Sequence, residues 1–332
     1  MIAVMDVLIQ PLQKTIQVEP GANLLEAMRN AQIPMSYSCM AGRCGTCRCK
    51  VLDGEVLDSG HAEQNPLNGQ ESYILACQTY ITEPCTIEIP EPDEIVVHPA
   101  RIIKATVLAV ETLTHDVKRV VLKPAKPLEF SPGQYAQLQF TPEHIRPYSM
   151  AGLPGDATLE FHVRVVAGGR VSTFIADQLK PGDAVRVSGP LGTAYLRRKH
   201  EGPMLCVAGG TGLAPILSVL RGALANDMPN PIHVYFGVRS RRDVYGLDWL
   251  TDLERRHPAL KVHVVVTSGG DPREQRCGLV TEAIEQDFAS LKGWRAYLCG
   301  SPPMVEAATL MARQKGIDPA RIYADAFYTQ SA

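Results

Sequence analysis

Four cysteines within SYSCMAGRCGTCRC, Ser36 to Cys49, constrain this chain more than any other feature. A loop that crowds thiols this closely serves one of three purposes: a disulfide knot, a zinc site or an iron–sulfur cluster. Disulfide knots belong to small secreted domains that lack a sufficient core. Here 332 residues, 45% of them hydrophobic, suffice for two or three domains that bury cores without staples. The start, MIAVMDVLIQPLQKTIQV, carries Asp6 within its apolar stretch and has no basic n-region or small-residue cleavage site. It reads as two alternating strands. The longest uncharged run, Gly202 to Leu220, is broken by GGTG and Pro215, which suits a buried strand and helix better than a membrane span. The expected compartment is the cytoplasm, where thiols stay reduced, so nine cysteines point to metal or catalysis. A net charge of −2 gives no electrostatic reason to expect nucleic acid or an anionic membrane.

Cys39, Cys44 and Cys47 follow the spacing C-x4-C-x2-C, and Cys77 lies in LACQ after a further 29 residues. This is the spacing of a plant-type [2Fe–2S] site. Two tetrahedral irons need four thiolates, three from one tight loop and one from elsewhere. Gly42 and Gly45 let the loop fold back so that backbone N–H groups face the cluster sulfurs. The competing reading is a four-cysteine zinc site, but such sites usually come as two C-x2-C pairs, and only Cys44 and Cys47 form one. A Rieske centre needs histidine ligands, and no cysteine here is followed within two residues by His. Cys49 and Cys85 are left over and read as small hydrophobes.

Three composition regimes follow one another. The cysteine loop, a helix at NLLEAMRNAQ and short alternating strands occupy the first 90 or so residues; IPEPDEIVVHPA, Ile89 to Ala100, then reads as a semi-rigid linker. Closely spaced β-runs with Pro-Gly turns (IIKATVLAV, VKRVVL, FSPGQYAQLQF, LEFHVRVV, DAVRVSGPLG) predict a small antiparallel barrel. From Pro203 onward, PMLCVAGG, PIHVYFGV, LKVHVVVTS, WRAYLCG and RIYADAF alternate with helical segments, predicting a doubly wound parallel sheet. The expected division is 1–92, linker 93–99, 100–200 and 201–332.

Several stretches carry binding chemistry. RPYSMAG places Arg146, Tyr148 and Ser149 on one strand: a cation for a pyrophosphate, an aromatic to stack on an isoalloxazine, and a hydroxyl near its reactive nitrogen. GGRVSTFIADQL sets Gly168, Gly169 and Ser172 just before a helix, an anion site built from free N–H groups. GGTGLAP, with Gly209, Gly210, Thr211 and Gly212, lacks the strict G-x-G-x-x-G pattern but keeps its mechanics, a glycine turn from strand into helix. A plain βα turn is the rival reading. Cys299 and Gly300 in YLCGSPPM end another parallel strand, where ligands bind; a lone buried cysteine is otherwise packing. Phe327 in YADAFY is either a cover for the flavin face or a core aromatic. After HVYFGV, Arg239, Ser240, Arg241 and Arg242 precede the first acid, Asp243. Arginines there suit a nucleotide 2′-phosphate, and solvated loop arginines are the alternative.

Taken together, SYSCMAGRCGTCRC, LACQ, HPARII, FSPGQYA, RPYSMAGLP, SGPLGTAYLR, GGTGLAP, GWRAYLCG and YADAFY resemble the ferredoxin–NADP reductase superfamily. More narrowly, the chain resembles, nearly end to end, the ferredoxin reductase components of naphthalene-dioxygenase-type ring-hydroxylating systems. The resemblance implies a β-grasp ferredoxin domain, an FAD barrel and a nucleotide domain. It implies a [2Fe–2S] cluster on Cys39, Cys44, Cys47 and Cys77, and FAD held by Arg146, Tyr148, Ser149, Gly169 and Ser172. It further implies a nicotinamide cofactor as hydride donor at Gly209, Gly210, Gly212 and Cys299; the arginines after HVYFGV add the expectation that NADH serves and NADPH is also accepted. The implied acceptor is a Rieske-type ferredoxin that feeds an oxygenase acting on an aromatic. Direct transfer to a monooxygenase or two-component oxygenase shares every one of these motifs; a colourless zinc-stabilised binding protein is the rival of another class.

Overall fold

Alternating apolar and polar residues make the first two strands, β1 (Met5–Gln10) and β2 (Lys14–Val18), each with one face in the core. In the computed structural model, residues 4–31, 33, 35, 37, 42, 47–59, 73–89, 96, 98–270 and 275–328 are described. The chain divides into two compact units, Met1–Ile95 and Val96–Ala332.

In the first unit, helix α1 (Leu24–Asn30) starts at Asn23, whose side chain accepts the Glu26 N–H, and buries Leu24, Leu25 and Met28. Strands β3 (Arg48–Asp53), β4 (Val56–Asp58), β5 (Tyr73–Leu75), β6 (Thr79–Ile81) and β7 (Cys85–Glu88) complete it. The main sheet runs β2-β1-β7-β3-β5, with β1 and β7 parallel and the other pairs antiparallel; β4 and β6 form a separate pair. Cys49 and Cys85 lie buried in this core, as small hydrophobes should. Of the expected linker, residues 90–95 and 97 lie outside the described residues.

The second unit opens with six antiparallel strands: β8 (Arg101–Thr112), β9 (Val117–Pro124), β10 (Tyr135–Thr141), β11 (His144–Ser149), β12 (Leu159–Arg164) and β13 (Ala184–Leu191). Their order is β11-β10-β13-β8-β9-β12. A bridge between Met150 and Phe161 brings the two edges together, so the barrel nearly closes. Helix α2 (Arg170–Asp177) follows β12.

Beyond the barrel, β14 (Met204–Gly209), α3 (Leu213–Ala225), β15 (Ile232–Val238), α4 (Leu247–Arg256), β16 (Leu260–Val266), β17 (Arg276–Cys277), α5 (Val280–Asp287), β18 (Arg295–Gly300), α6 (Pro302–Gln314) and β19 (Ile322–Ala326) build a parallel sheet. Its order, β17-β16-β15-β14-β18-β19, reverses at β14, the place where ligands sit in such sheets. Helix α3 is buried on nearly every face. It packs against the barrel as well as the sheet: Ser218 Oγ donates to the Gly152 carbonyl at 2.6 Å and accepts the Gly133 N–H at 3.2 Å. Barrel and sheet therefore form one compact unit. Among the described residues, no helix is long and apolar enough to cross a membrane.

On the other side of the sheet, His233 and His263 stack with ring centroids 5.8 Å apart, and His263 stacks in turn on Tyr235. Burial pulls both histidines below their ordinary 6.5. A base with a depressed folded pKa binds fewer protons folded than unfolded, so stability falls as pH drops below the unfolded value. The calorimetric midpoint should decline between about pH 7 and about pH 5. A variant combining His233→Phe with His263→Gln should show a shallower decline over the same range.

Candidate functional site

Two of the four expected cluster ligands, Cys39 and Cys44, lie outside the described residues, as does Gly45. The other two come together. Cys47 sits just before β3 and Cys77 in the short turn between β5 and β6, and both are buried. The Cys77 N–H donates to Cys47 Sγ at 3.5 Å, and Gln78 Nε2 donates to Cys77 Sγ at 3.7 Å. Asn23 Nδ2 donates to the Cys77 carbonyl at 3.1 Å, which fixes that turn on helix α1. Two donors aimed at two buried sulfurs are what thiolate ligands require, so these residues fit a cluster. Gly42 adopts φ +75°, and a Cβ there would lie 2.9 Å from Gln78 Cγ.

In the second unit, strand alternation divides the trio on β11. Arg146 and Tyr148 share one face, while Ser149 lies on the other. Burial raises the Tyr148 phenol well above its ordinary value, with the Arg146 charge pulling the other way. Ser149 is buried, and its Oγ donates to Oδ2 of Asp325 on β19 at 3.0 Å. Burial pushes the Asp325 carboxyl up to about 6, against the Ser149 hydrogen bond. Asp325 is a residue the sequence reading missed, although a lone acid in the apolar run YADAF is a visible signal.

Gly169 caps helix α2, and Gly168 precedes it with φ +74°. Ser172 does not precede the helix as expected but lies inside its first turn. Its hydroxyl donates to the Gly169 carbonyl at 3.2 Å and accepts the Val166 N–H at 3.1 Å, closing the turn on itself.

The nucleotide-type loop is built by close approach. Strand β14 ends at Gly209, Gly210 to Gly212 make a single 3-10 turn with Thr211 in its middle, and α3 begins at Leu213. A Cβ on Gly212 would lie 2.0 Å from the Cys299 carbonyl oxygen, and one on Gly300 would lie 2.9 Å from Gly209 Cα. Only glycine permits these contacts, so the ends of β14 and β18 form one backbone cradle. Cys299 is fully buried and pairs in register with Asp325; burial raises its thiol far above the ordinary range. The Phe327 N–H donates to the Gly300 carbonyl at 2.9 Å, so the chain leaving β19 returns to the same edge. Ser149, Cys299, Gly300, Asp325 and Phe327 thus meet where barrel and sheet adjoin.

Arg239, Arg241 and Arg242 are exposed beyond β15. Their loop is shaped by Asp243, which accepts the Ser240 N–H and hydroxyl at 2.8 and 2.6 Å. Nearby, Arg164 of β12 holds Asp116 through two nitrogens at 2.9 and 2.8 Å, and its Nη1 lies 3.5 Å from where a Gly210 Cβ would stand. Arg164 went unnoticed in the sequence because its neighbours come from distant parts of the chain, Asp116 being 48 residues away. The glycine cradle with this guanidinium beside it suits a dinucleotide phosphate.

Comparison with known proteins agrees with this geometry. Residues 7–82 match the 2Fe-2S iron-sulfur cluster binding domain family, 104–195 the oxidoreductase FAD-binding domain, and 206–309 the oxidoreductase NAD-binding domain. The chain is 58% identical over 324 residues to the ferredoxin–NAD(P)+ reductase component of the naphthalene 1,2-dioxygenase/salicylate 5-hydroxylase systems of Ralstonia sp, covering 98% of this chain and 99% of that one. It is likewise 58% identical over 325 residues to the reductase component of the Pseudomonas putida naphthalene 1,2-dioxygenase system, with the same coverage. A crystal structure of an Amycolatopsis cytochrome P450 reductase superposes with a TM-score of 0.73 at 35% identity, covering 98% and 100% of the two chains.

The cradle makes a direct demand on Gly212. Gly212→Ala should cost about 1–3 kcal/mol of stability in the second unit, because a methyl group would meet fixed backbone. Iron content should be unchanged. Chemical denaturation followed by flavin release alongside iron analysis measures both.

Proposed function

This chain belongs to the family of ferredoxin–NAD(P)+ reductase components of multicomponent oxygenase systems, and from that premise we propose that it draws electrons from NAD(P)H to reduce a Rieske-type ferredoxin. That ferredoxin supplies a naphthalene-type ring-hydroxylating dioxygenase. The balance is one NAD(P)H and two oxidised ferredoxins giving NAD(P)+, a proton and two reduced ferredoxins. When bound, FAD supplies the conversion between a two-electron donor and one-electron acceptors, and the cluster carries single electrons onward. In this reading 1–92 carries the cluster, 100–200 the flavin and 201–332 the nucleotide, with 93–99 between the first two. The cofactor-binding and catalytic residues are those named above, with Asp325 and Arg164 added.

Each side chain has a definite task. Cys39, Cys44, Cys47 and Cys77 ligate the irons. Arg146 would neutralise flavin phosphate, and Tyr148, on the same face, would offer an aromatic surface for the ring system to stack on. Gly168 and Gly169 offer the end of α2 to phosphate; Ser172 keeps that turn in shape. Ser149 commits its hydrogen to the Asp325 carboxylate, so towards any other neighbour its oxygen acts as an acceptor. Gly209, Gly210, Thr211, Gly212 and Gly300 admit the dinucleotide backbone, with Arg164 opposite its charge. Cys299 and Phe327 border the place where nicotinamide and flavin must meet.

The observation that carries this reading is the junction of Ser149, Asp325, Cys299 and Gly300 within one compact unit: a flavin-type barrel and a nucleotide-type cradle open onto the same point. Steady-state reduction of Rieske-type ferredoxins by the purified protein tests it. Cys47→Ser should abolish ferredoxin reduction, while NADH-dependent ferricyanide reduction, which needs only the second unit, should persist. Loss of both in a protein that keeps its flavin would refute the proposed route. Transfer to an oxygenase with no ferredoxin present would favour the direct alternative.

Nucleotide choice rests on the exposed loop after β15. With arginines in place of the early acid that holds a ribose, NADH should serve and NADPH should be accepted without a large penalty. Arg241→Ala and Arg242→Ala should raise the apparent KM for NADPH more than that for NADH. Equal effects in paired kinetic titrations would remove this loop from the phosphate site.

A further inference from the structure

His162 is a barrel residue with a fully buried side chain, and nothing in the reaction outlined above uses it. Its Nε2 lies 3.1 Å from Glu160 Oε1, and its Nδ1 lies 3.1 Å from the hydroxyl of Tyr245, which precedes α4 in the nucleotide half. The Tyr245 hydroxyl in turn donates to the carbonyl of Gly210 at 3.4 Å. Behind Glu160 stands Arg119, at 2.6 Å, itself paired with Glu111 at 2.8 Å. Trp249 of α4 closes the remaining side, 5.7 Å from the imidazole between ring centroids. A continuous polar chain therefore runs from the outer face of the barrel, Glu111–Arg119–Glu160–His162–Tyr245, to one peptide of the glycine cradle.

We propose that Tyr245, held by His162, is a positioning residue for the nucleotide: it fixes the Gly210 carbonyl and thereby the direction of the Thr211 N–H. The peptide joining Gly210 to Thr211 is planar and trans, so anchoring its carbonyl on one side turns its N–H to the other. Gly210 has φ +54° and no side chain, so the direction of its carbonyl is set by its hydrogen-bond partners and not by sterics. Within the loop the Leu213 N–H reaches that carbonyl; Tyr245 is the partner that comes from another element. The neighbouring charge is consistent with this task. Burial raises Glu160, but its bonds to His162 and Arg119 prevail and hold it at about 2, so it is an acceptor for the imidazole. Burial keeps the Tyr245 hydroxyl protonated, hence a donor. That single proton has two acceptors within reach, Nδ1 and the Gly210 carbonyl. It goes to Gly210 when Nδ1 carries its own hydrogen and donates to the phenol oxygen; with Nε2 already donating to Glu160, that form is the imidazolium, paired with the Glu160 carboxylate. The barrel thus sets the presentation of the nucleotide loop through one hydroxyl.

The inference rests on the reading of Gly209–Gly212 as the nucleotide loop, and the test separates the two. The probe is NAD+, titrated into full-length, FAD-loaded protein and followed by perturbation of the flavin absorbance. Tyr245→Phe should weaken NAD+ about fivefold, the size of one neutral hydrogen bond. The apparent KM for NADH should rise in parallel, with kcat for ferricyanide reduction, flavin content and melting midpoint unchanged. His162→Leu should give the same shift and His162→Gln a smaller one. The double variant, His162→Leu with Tyr245→Phe, should shift affinity no more than either change alone. An unshifted NAD+ affinity in Tyr245→Phe would overturn the proposal. So would additive effects, or a shift accompanied by loss of flavin and a lower melting midpoint, which would mark the cluster as packing only. If the wild-type protein bound no NAD+, the nucleotide-loop reading would fall and this inference with it.

Discussion

The hydrogen bond from Ser149 to Asp325 joins residues 176 positions apart, and the arrangement of the second unit turns on it. Ser149 ends the barrel strand β11; Asp325 lies on the edge strand β19 of the parallel sheet. Neither partner is free to move without the other, because Asp325 is also in register with Cys299 and the chain that leaves β19 hydrogen-bonds back to Gly300. An acid at this depth is costly to desolvate, which is why its carboxyl sits near 6, above the usual carboxylate range. The contact trades folding stability for a fixed relation between two cofactor-binding surfaces.

Other ties across the same junction are of different kinds. Ser218 bridges the Gly152 carbonyl and the Gly133 N–H, Arg221 holds Asp156 through two nitrogens, and Tyr297 accepts the Arg197 N–H. These are mostly buried polar bonds between rigid elements, expensive to leave unmade and therefore strongly orienting. A barrel and a sheet that merely touched through apolar surface could slide. These cannot slide without breaking several such bonds at once.

Much of this was legible in the sequence, and the reasons are physical. Period-two patterns in MDVLIQ and IIKATVLAV marked strands with one buried face, and the uniformly apolar MLCVAG marked a strand buried on both. The cysteine spacing carried its meaning because metal coordination fixes it. What stayed hidden were pairings whose partners lie far apart: Ser149 with Asp325, His162 with Tyr245, Arg164 with Asp116. Local pattern says which residues face inward, not which strand ends will share an edge. Ser172 was misplaced for the opposite reason. A hydroxyl three residues after Gly169 finds its partners in its own turn, so it lies within the helix and not before it.

The close packing at Gly212 bears on how a protein like this diversifies. A strand end and a loop that meet backbone to backbone leave no side chain to vary, since even a methyl group would stand 2.0 Å from the Cys299 oxygen. Variation is instead open to the exposed Arg239–Arg242 stretch, which hangs from β15, a strand that pairs with neither β18 nor β19 in the sheet order. The fold thus sets a sterically constrained turn beside a loop free to vary. Substitution in a solvent-facing loop disturbs little of the packing, while the close-packed turn tolerates almost none.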